Sequence, residues 1–269
     1  MAIWRDKVVL ITGGSEGLGL ETARAFAQRE ATVCIVARDQ IRLQAVRQTL
    51  ADESWQVHVY PCDVTNDQQV TDTLEQIIRQ HGRLDVLVNN VGKSTRCNIS
   101  ETSVAEFQDL MEANFYTAVR CTKRALPELV KSKGHVVNIG SLASKTAWPF
   151  IAPYTTSKHA VAAYTHQLRI DGPREVHFML VCPGPIRRED AGVRYSQQAA
   201  QLPSVAQQPG AGARLKGISS AKIARRIVAG CEKRKAEIVM PFYAKYFFAV
   251  SQISPRLGDW MIRKMCRGE

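Results

Sequence analysis

Tyr154 and Lys158 stand four residues apart in the run Pro153-Tyr154-Thr155-Thr156-Ser157-Lys158. On a helix that spacing puts both side chains on one face. A free tyrosine, with a pKa near ~10, is a poor base at neutral pH. A neighbouring ammonium stabilises the phenolate, lowers that pKa and makes the residue usable as a general acid or base. Thirteen residues before Tyr154, the apolar run His135–Ile139 ends at Gly140-Ser141. A serine hydroxyl at the carboxyl end of a strand can hydrogen-bond a substrate carbonyl oxygen, and that end is where open parallel sheets bind ligands.

A second set of residues has the chemistry of phosphate binding. The first strand-like run leads into Thr12-Gly13-Gly14-Ser15-Glu16-Gly17-Leu18-Gly19, with G-x-x-x-G-x-G spacing, and a helical pattern follows. Glycines allow the tight turn and the close approach of backbone to a pyrophosphate. The helix amino terminus adds free N–H groups and a positive dipole end. The second strand ends in Val36-Ala37-Arg38-Asp39. An acidic residue at that tip suits a ribose 2′-hydroxyl, and a cation suits a 2′-phosphate. Arg38 comes first, so NADP is expected over NAD. Asp39 and Glu16, which lies near the same ribose, oppose a phosphate.

These residues need a frame. Strand-like runs at Val8–Ile11, Thr32–Ala37, Val57–Tyr60, Val86–Asn89, His135–Ile139, His177–Val181 and Glu237–Met240 alternate with helical patterns at Leu18–Arg29, Asp67–Gln80, Val104–Val130 and Tyr154–Ile170. Asp67 is placed to cap its helix and Gly82 to end it. Continuous apolar strands alternating with amphipathic helices predict right-handed βαβ crossovers and one parallel sheet covered on both faces. No repeat or linker divides the chain, so residues 1–241 read as one doubly wound α/β domain with residues 242–269 as its extension. Residues 187–217, rich in Gln, Gly, Ala and Pro, read as a lid over the site or as a disordered insertion.

Taken in order, TGGSEGLG at 12–19, NNVG at 89–92, Asn114, Ser141, YTTSK at 154–158 and PGPI at 183–186 make the sequence resemble the short-chain dehydrogenase/reductase family over about residues 6–241. The resemblance implies a Rossmann sheet of seven strands in the order 3-2-1-4-5-6-7. It implies that Tyr154 exchanges the proton with the substrate oxygen and that Lys158 lowers its pKa and holds the nicotinamide ribose. Ser141 would orient the carbonyl, and Asn114 would hold a water in a proton relay behind Lys158. Gly13, Ser15, Glu16, Gly17, Leu18 and Gly19 would form the phosphate turn. Asp63 would contact the adenine, Asn90 and Gly92 would lie by the adenosine ribose, and Pro183, Gly184 and Ile186 would line the nicotinamide. Related chains often carry Thr two residues after the PGPI unit; here that position is Arg188. It could pair with the pyrophosphate, with an acidic substrate group, or point into solvent.

SLASKTAWPFIAPY at 141–154 looks most like the 11β-hydroxysteroid dehydrogenase-like branch, which acts on lipophilic carbonyls. Trp148, Phe150 and Ile151 would form a pocket wall or pack against the lid or a subunit. The tail interleaves Phe242, Tyr243, Tyr246, Phe247, Phe248 and Trp260 with Lys245, Arg256, Arg263 and Lys264. This suits an amphipathic helix at a lipid interface, with Leu257, Trp260, Met261 and Met265 on one face, or a contact in a homodimer or homotetramer.

The 269 residues carry a net charge of +11, with 45% hydrophobic and 23% charged residues, a globular composition. Residues 214–269 hold thirteen Lys/Arg against four Asp/Glu, which suits an anionic surface or solvated helix faces. No recognition motif accompanies that charge, so nucleic acid is not expected. No apolar run reaches the ~18 residues of a membrane span, and a strand beginning at Lys7 leaves little room for a signal peptide. The seven cysteines lack C-x-x-C spacing and the six histidines lack metal spacing, so no metal is expected and a cytoplasmic, reducing compartment is. His159 reads as a helix-surface residue. The expected function is NADP-dependent hydride exchange with a lipophilic ketone, aldehyde or secondary alcohol. The alternative is a cofactor-binding scaffold or sensor with little catalysis.

Overall fold

Seven short runs dominated by β-branched and apolar residues form the strands of the computed structural model, which describes residues 3–187, 195–212 and 215–266. They are β1 (Val8–Thr12), β2 (Thr32–Ala37), β3 (Val57–Pro61), β4 (Val86–Asn89), β5 (His135–Ile139), β6 (His177–Pro183) and β7 (Glu237–Met240). The order is β3-β2-β1-β4-β5-β6-β7, and every pair is parallel, as expected. The order reverses between β1 and β4, whose carboxyl ends therefore open a crevice.

Side chains alternate between the two faces of each strand. Val9, Ile11, Val33, Ile35, Val86 and Val88 pack with α1 (Gly17–Ala27), α2 (Gln40–Asp52) and α7 (Ser220–Glu232) through Phe26, Leu43 and Ile223. Val8, Leu10, Cys34, Leu87 and Val136 face the other way, onto Leu74 and Ile77 of α3 (Asp67–His81) and Leu129 of α5 (Thr117–Ser132). Both faces are thus dry, which is why the strands read as continuous apolar runs. All seven cysteines are buried and free.

Two local expectations are corrected. Asn66, not Asp67, caps α3, accepting a 3.0 Å bond from the Gln69 N–H. Gly82 ends that helix in the left-handed conformation, as expected. The helix expected over Val104–Val130 is instead α4 (Val104–Met111), a π-helical turn (Glu112–Tyr116) and α5. The tail forms a hairpin of α8 (Ala244–Ile253) and α9 (Pro255–Cys266) that packs Phe248, Ile262 and Cys266 onto Leu142, Trp148 and Ile151. The face of α9 that turns inward therefore carries Gly258, Ile262 and Cys266, whereas Leu257 and Trp260 are 46% and 56% exposed. Gly258 decides the rotation, because a Cβ there would lie 2.7 Å from Ser251 Oγ on α8. Among the described residues no helix is long and apolar enough to cross a membrane.

Candidate active site

Ser141 follows β5 and opens a short helical turn, Leu142–Ser144. Its Oγ accepts from the Ala143 N–H at 3.1 Å, and its own N–H donates to Ser144 Oγ at 3.0 Å, so the side chain is fixed at the tip of the strand. Tyr154 lies in the first turn of α6 (Ala152–Asp171) and lines the same cleft as Ser141. A buried polar chain sets the position of α6. Asn89 Nδ2 donates to Asn138 Oδ1 (2.8 Å) and Thr122 Oγ1 (2.9 Å), and Asn138 Nδ2 donates to Thr165 Oγ1 (2.9 Å). Lys158 Nζ closes the contact one turn from Tyr154 by donating to the Ile139 carbonyl at 2.8 Å.

The Tyr–Lys pair is on one face, with Nζ 5.8 Å from the centre of the Tyr154 ring. Its electrostatics differ from the sequence expectation. Burial pushes the Tyr154 phenol up to about 12, outweighing the Ser141 hydrogen bond and the Arg96 charge, which both pull it down. Burial likewise pushes the Lys158 ammonium down to about 8. Desolvation of the charged forms therefore exceeds any acidification of the phenol, leaving Tyr154 protonated at neutral pH.

Asn114 sits in the π-helical turn, buried beside this pair. Its Nδ2 donates to Ser157 Oγ (2.8 Å) and to the Lys93 carbonyl (3.0 Å), and its Oδ1 accepts from the Lys93 N–H (2.7 Å). It joins α6 to the segment after β4. A π-turn redirects one side chain without ending a helix, which explains both the interruption and its place here.

A cleft of about 610 Å³ opens along the carboxyl ends of the strands. Its lining includes Ser141, Tyr154 and Lys158, together with Gly13, Ser15, Glu16, Leu18, Arg38, Asp63, Asn90, Gly92, Pro183, Gly184 and Ile186. Gly17, with φ of 55°, and Gly19 belong to the turn but are not among the cleft-lining residues. A Cβ on Gly19 would lie 2.3 Å from the Gly13 carbonyl oxygen, so the turn requires glycine at that position. Asn90 ties the turn down, donating from Nδ2 to Gly13 O (2.9 Å) and Thr12 O (3.1 Å). Arg188 lies outside the described residues.

The arrangement fits a dinucleotide. The amino terminus of α1 has no side-chain cap and no acidic residue in its first turn, so its N–H groups are available to a pyrophosphate. At the tip of β2, where an adenosine would lie, the two opposing carboxylates are already committed. Asp39 caps α2 by accepting from the Arg42 N–H (3.0 Å), and Glu16 pairs with Arg42 Nη1 (3.2 Å). Asp63 accepts from the Thr65 N–H (3.0 Å) and hydroxyl (2.8 Å) at the cleft wall. Trp148 and Ile151 do line the cleft, along with Leu142 and Leu215, whereas Phe150 does not. His159 is on the helix surface, as expected.

Sequence reading missed Arg42, Arg96 and Tyr195, which also line the cleft. Arg42 lies four residues after Arg38, in the first turn of α2, a spacing that could have flagged it. Arg96 and Tyr195 sit in aperiodic segments that give no such signal.

Comparison with known proteins agrees with this geometry. A family model described as short chain dehydrogenase matches residues 7–199. The chain is 38% identical over 191 residues to dehydrogenase/reductase SDR family member 7B of Danio rerio, spanning 68% of this chain and 62% of that protein. It is 28% identical over 258 residues to 11-beta-hydroxysteroid dehydrogenase-like 2 of Arabidopsis thaliana, spanning 95% and 80%. A short chain dehydrogenase/reductase from Burkholderia phymatum, solved in complex with NAD, superposes with a TM-score of 0.81 at 21% identity, covering 94% and 95% of the two chains. Seven parallel strands in this order, a glycine turn at the first βα junction and Ser141, Tyr154 and Lys158 on one cleft thus coincide with the sequence match, and the chain belongs to the short-chain dehydrogenase/reductase family of oxidoreductases.

Proposed function

We propose that the protein is an NADPH-dependent reductase of lipophilic ketones or aldehydes. The observation that carries this reading is Ser141, Tyr154 and Lys158 meeting on one cleft with an apolar wall, Nζ standing 5.8 Å from the Tyr154 ring. A phenol held at about 12 is poised to give a proton to a carbonyl oxygen, not to take one from an alcohol. When bound, the nicotinamide supplies the hydride. Ser141 orients the carbonyl oxygen toward Tyr154, and Tyr154 donates the proton as the alkoxide develops. Lys158 keeps a positive charge behind the phenol as it ionises. Asn114, through Ser157, keeps the first turns of α6 in place. The amino terminus of α1 would hold the pyrophosphate, and Arg38 and Arg42 would flank a 2′-phosphate. Leu142, Trp148, Ile151 and Leu215 suit an apolar substrate body.

The test is turnover of a panel of lipophilic carbonyls with NADPH, in wild type and in Tyr154→Phe. The expected loss in kcat is at least about 100-fold with unchanged NADPH affinity. Wild-type turnover in that variant removes Tyr154 from the reaction. Tight NADPH binding with no turnover of any carbonyl favours the scaffold alternative.

A second reading concerns the tail. Phe242, Tyr243, Tyr246, Leu257 and Trp260 are all exposed, Lys245 lies over Phe242 and Lys264 over Trp260. Aromatic rings under cations suit the headgroup layer of an anionic membrane. Sedimentation with phosphatidylserine vesicles, but not with phosphatidylcholine vesicles, is expected, and Trp260→Ala should weaken it. Concentration-dependent self-association through the same residues would favour the subunit contact instead.

A further inference from the structure

Burying a guanidinium is costly unless its N–H groups find acceptors. Arg96 is only 6% exposed, and its acceptors come largely from one place. Nε donates to the Ala206 carbonyl at 2.7 Å and Nη2 to the Gln208 carbonyl at 3.3 Å, while Nη1 donates to Thr95 O at 3.0 Å. The guanidinium carbon stands 3.9 Å over the centre of the Tyr195 ring. The Arg96 backbone N–H donates to Gln198 Oε1 at 3.2 Å. Four of these five contacts reach residues 195–208, within the expected lid. On the other side, the Cys97 N–H donates to the Phe150 carbonyl at 3.0 Å, so the loop bearing Arg96 is tied to the turn that leads into α6. Arg96, Tyr195, Gln207 and Tyr154 line the same cleft.

We propose that Arg96 is a positioning residue: its guanidinium latches residues 195–208 against the turn before α6 and holds a positive charge and the Tyr195 ring on the catalytic wall beside Tyr154. This rests on Tyr154 as the proton-transfer group. Five other groups act on Tyr154. Ser141 comes from the end of β5, Arg96 from the loop after β4, Tyr195 from the lid and Cys182 from β6, while Lys158 lies on the same helix. Against burial, Ser141 and Arg96 favour the phenolate, whereas Tyr195 and Cys182 oppose it. Arg96 is thus a cation on the cleft wall that Tyr154 shares, carried by an element other than α6, and its fork holds residues 195–208 in place.

The latch and the charge separate experimentally. In Arg96→Gln both are lost; in Arg96→Lys the charge stays, but a single ammonium cannot replace the planar fork. The tyrosinate absorbance of the NADPH-loaded protein, compared with Tyr154→Phe in the same background, reports the titration of Tyr154 without turnover. Arg96→Gln should raise KM for the carbonyl about tenfold, leave NADPH affinity unchanged and move the Tyr154 titration to higher pH. Arg96→Lys should raise KM similarly but keep the titration near that of wild type. A wild-type Tyr154 titration or a wild-type KM in Arg96→Gln overturns the proposal. If Arg96→Gln does not fold, Arg96→Lys decides: a wild-type KM overturns it. Turnover retained in Tyr154→Phe would instead refute the role of Tyr154, while the absorbance titration still reports whether Arg96 acts on that phenol.

Discussion

Lys158 Nζ donates its 2.8 Å hydrogen bond to the carbonyl oxygen of Ile139, the last residue of β5, so the ammonium is pinned to the strand that leads into Ser141. One buried contact thereby sets the distance between the two elements that carry the hydroxyls of the site. Because burial lowers its pKa to about 8, Lys158 is still mostly charged at neutral pH.

That value fixes a pH dependence. The cation is present below about pH 8 and is lost above it, whereas Tyr154, at about 12, stays protonated throughout. The reductive kcat/KM should fall as pH rises through about 8. A profile flat to about pH 10 would contradict the assignment of this limb to Lys158.

Cofactor preference should follow the cations at the adenosine end. Arg38→Ala and Arg42→Ala should each weaken NADPH about tenfold and NADH much less, as expected for lost charge-assisted bonds to a phosphate. Arg42→Ala also frees the Glu16 carboxylate with which it pairs, so its discrimination should shift further toward NADH. Equal losses for the two cofactors, measured by titration, would undo the phosphate reading.

Thr165→Val removes the acceptor of Asn138 Nδ2 in a fully buried site. An orphaned buried donor costs about 1–3 kcal/mol. Chemical denaturation should show that loss, and because the bond joins β5 to α6, kcat should fall with it. Unchanged stability would mean that water or a rotated side chain satisfies Asn138.

The opposite end of the sheet sets acid stability. His135 and His177 share a 2.9 Å contact; burial, then the neighbouring histidine, pushes His135 down to about 3, and burial lowers His177 as well. Their unfolded forms take up protons below about 6.5 while the folded forms resist, so stability should decline from about pH 6.5 downward. Asp85 adds to the loss at lower pH. Burial alone would raise its pKa, but Arg83, the Val8 N–H and Lys7 together hold it below the usual range, and that stabilisation disappears as the carboxylate is protonated. Melting temperature against pH should show the decline beginning near 6.5, and His135→Asn should flatten its upper part.

The sequence by itself determined the strands and their parallel pairing, the glycine turn, and the placing of Tyr154 and Lys158 on one helix face, while the strand order came only from the family resemblance. Those features depend on local spacing, on 3.6 residues per turn and on strands that must be apolar on both faces, and local spacing is written in the chain. Only the tertiary structure decided how the site is charged. Burial by residues distant in sequence raises the phenol of Tyr154 and lowers the ammonium of Lys158, and no neighbour in sequence reports that desolvation. Arg42 neutralises Glu16, Arg96 meets Tyr195 across 99 positions, and Gly258 rotates α9 so that Ile262 turns inward while Trp260 faces out. Each of these follows from atoms brought together by folding, whose energies vary with distance and dielectric and not with sequence separation.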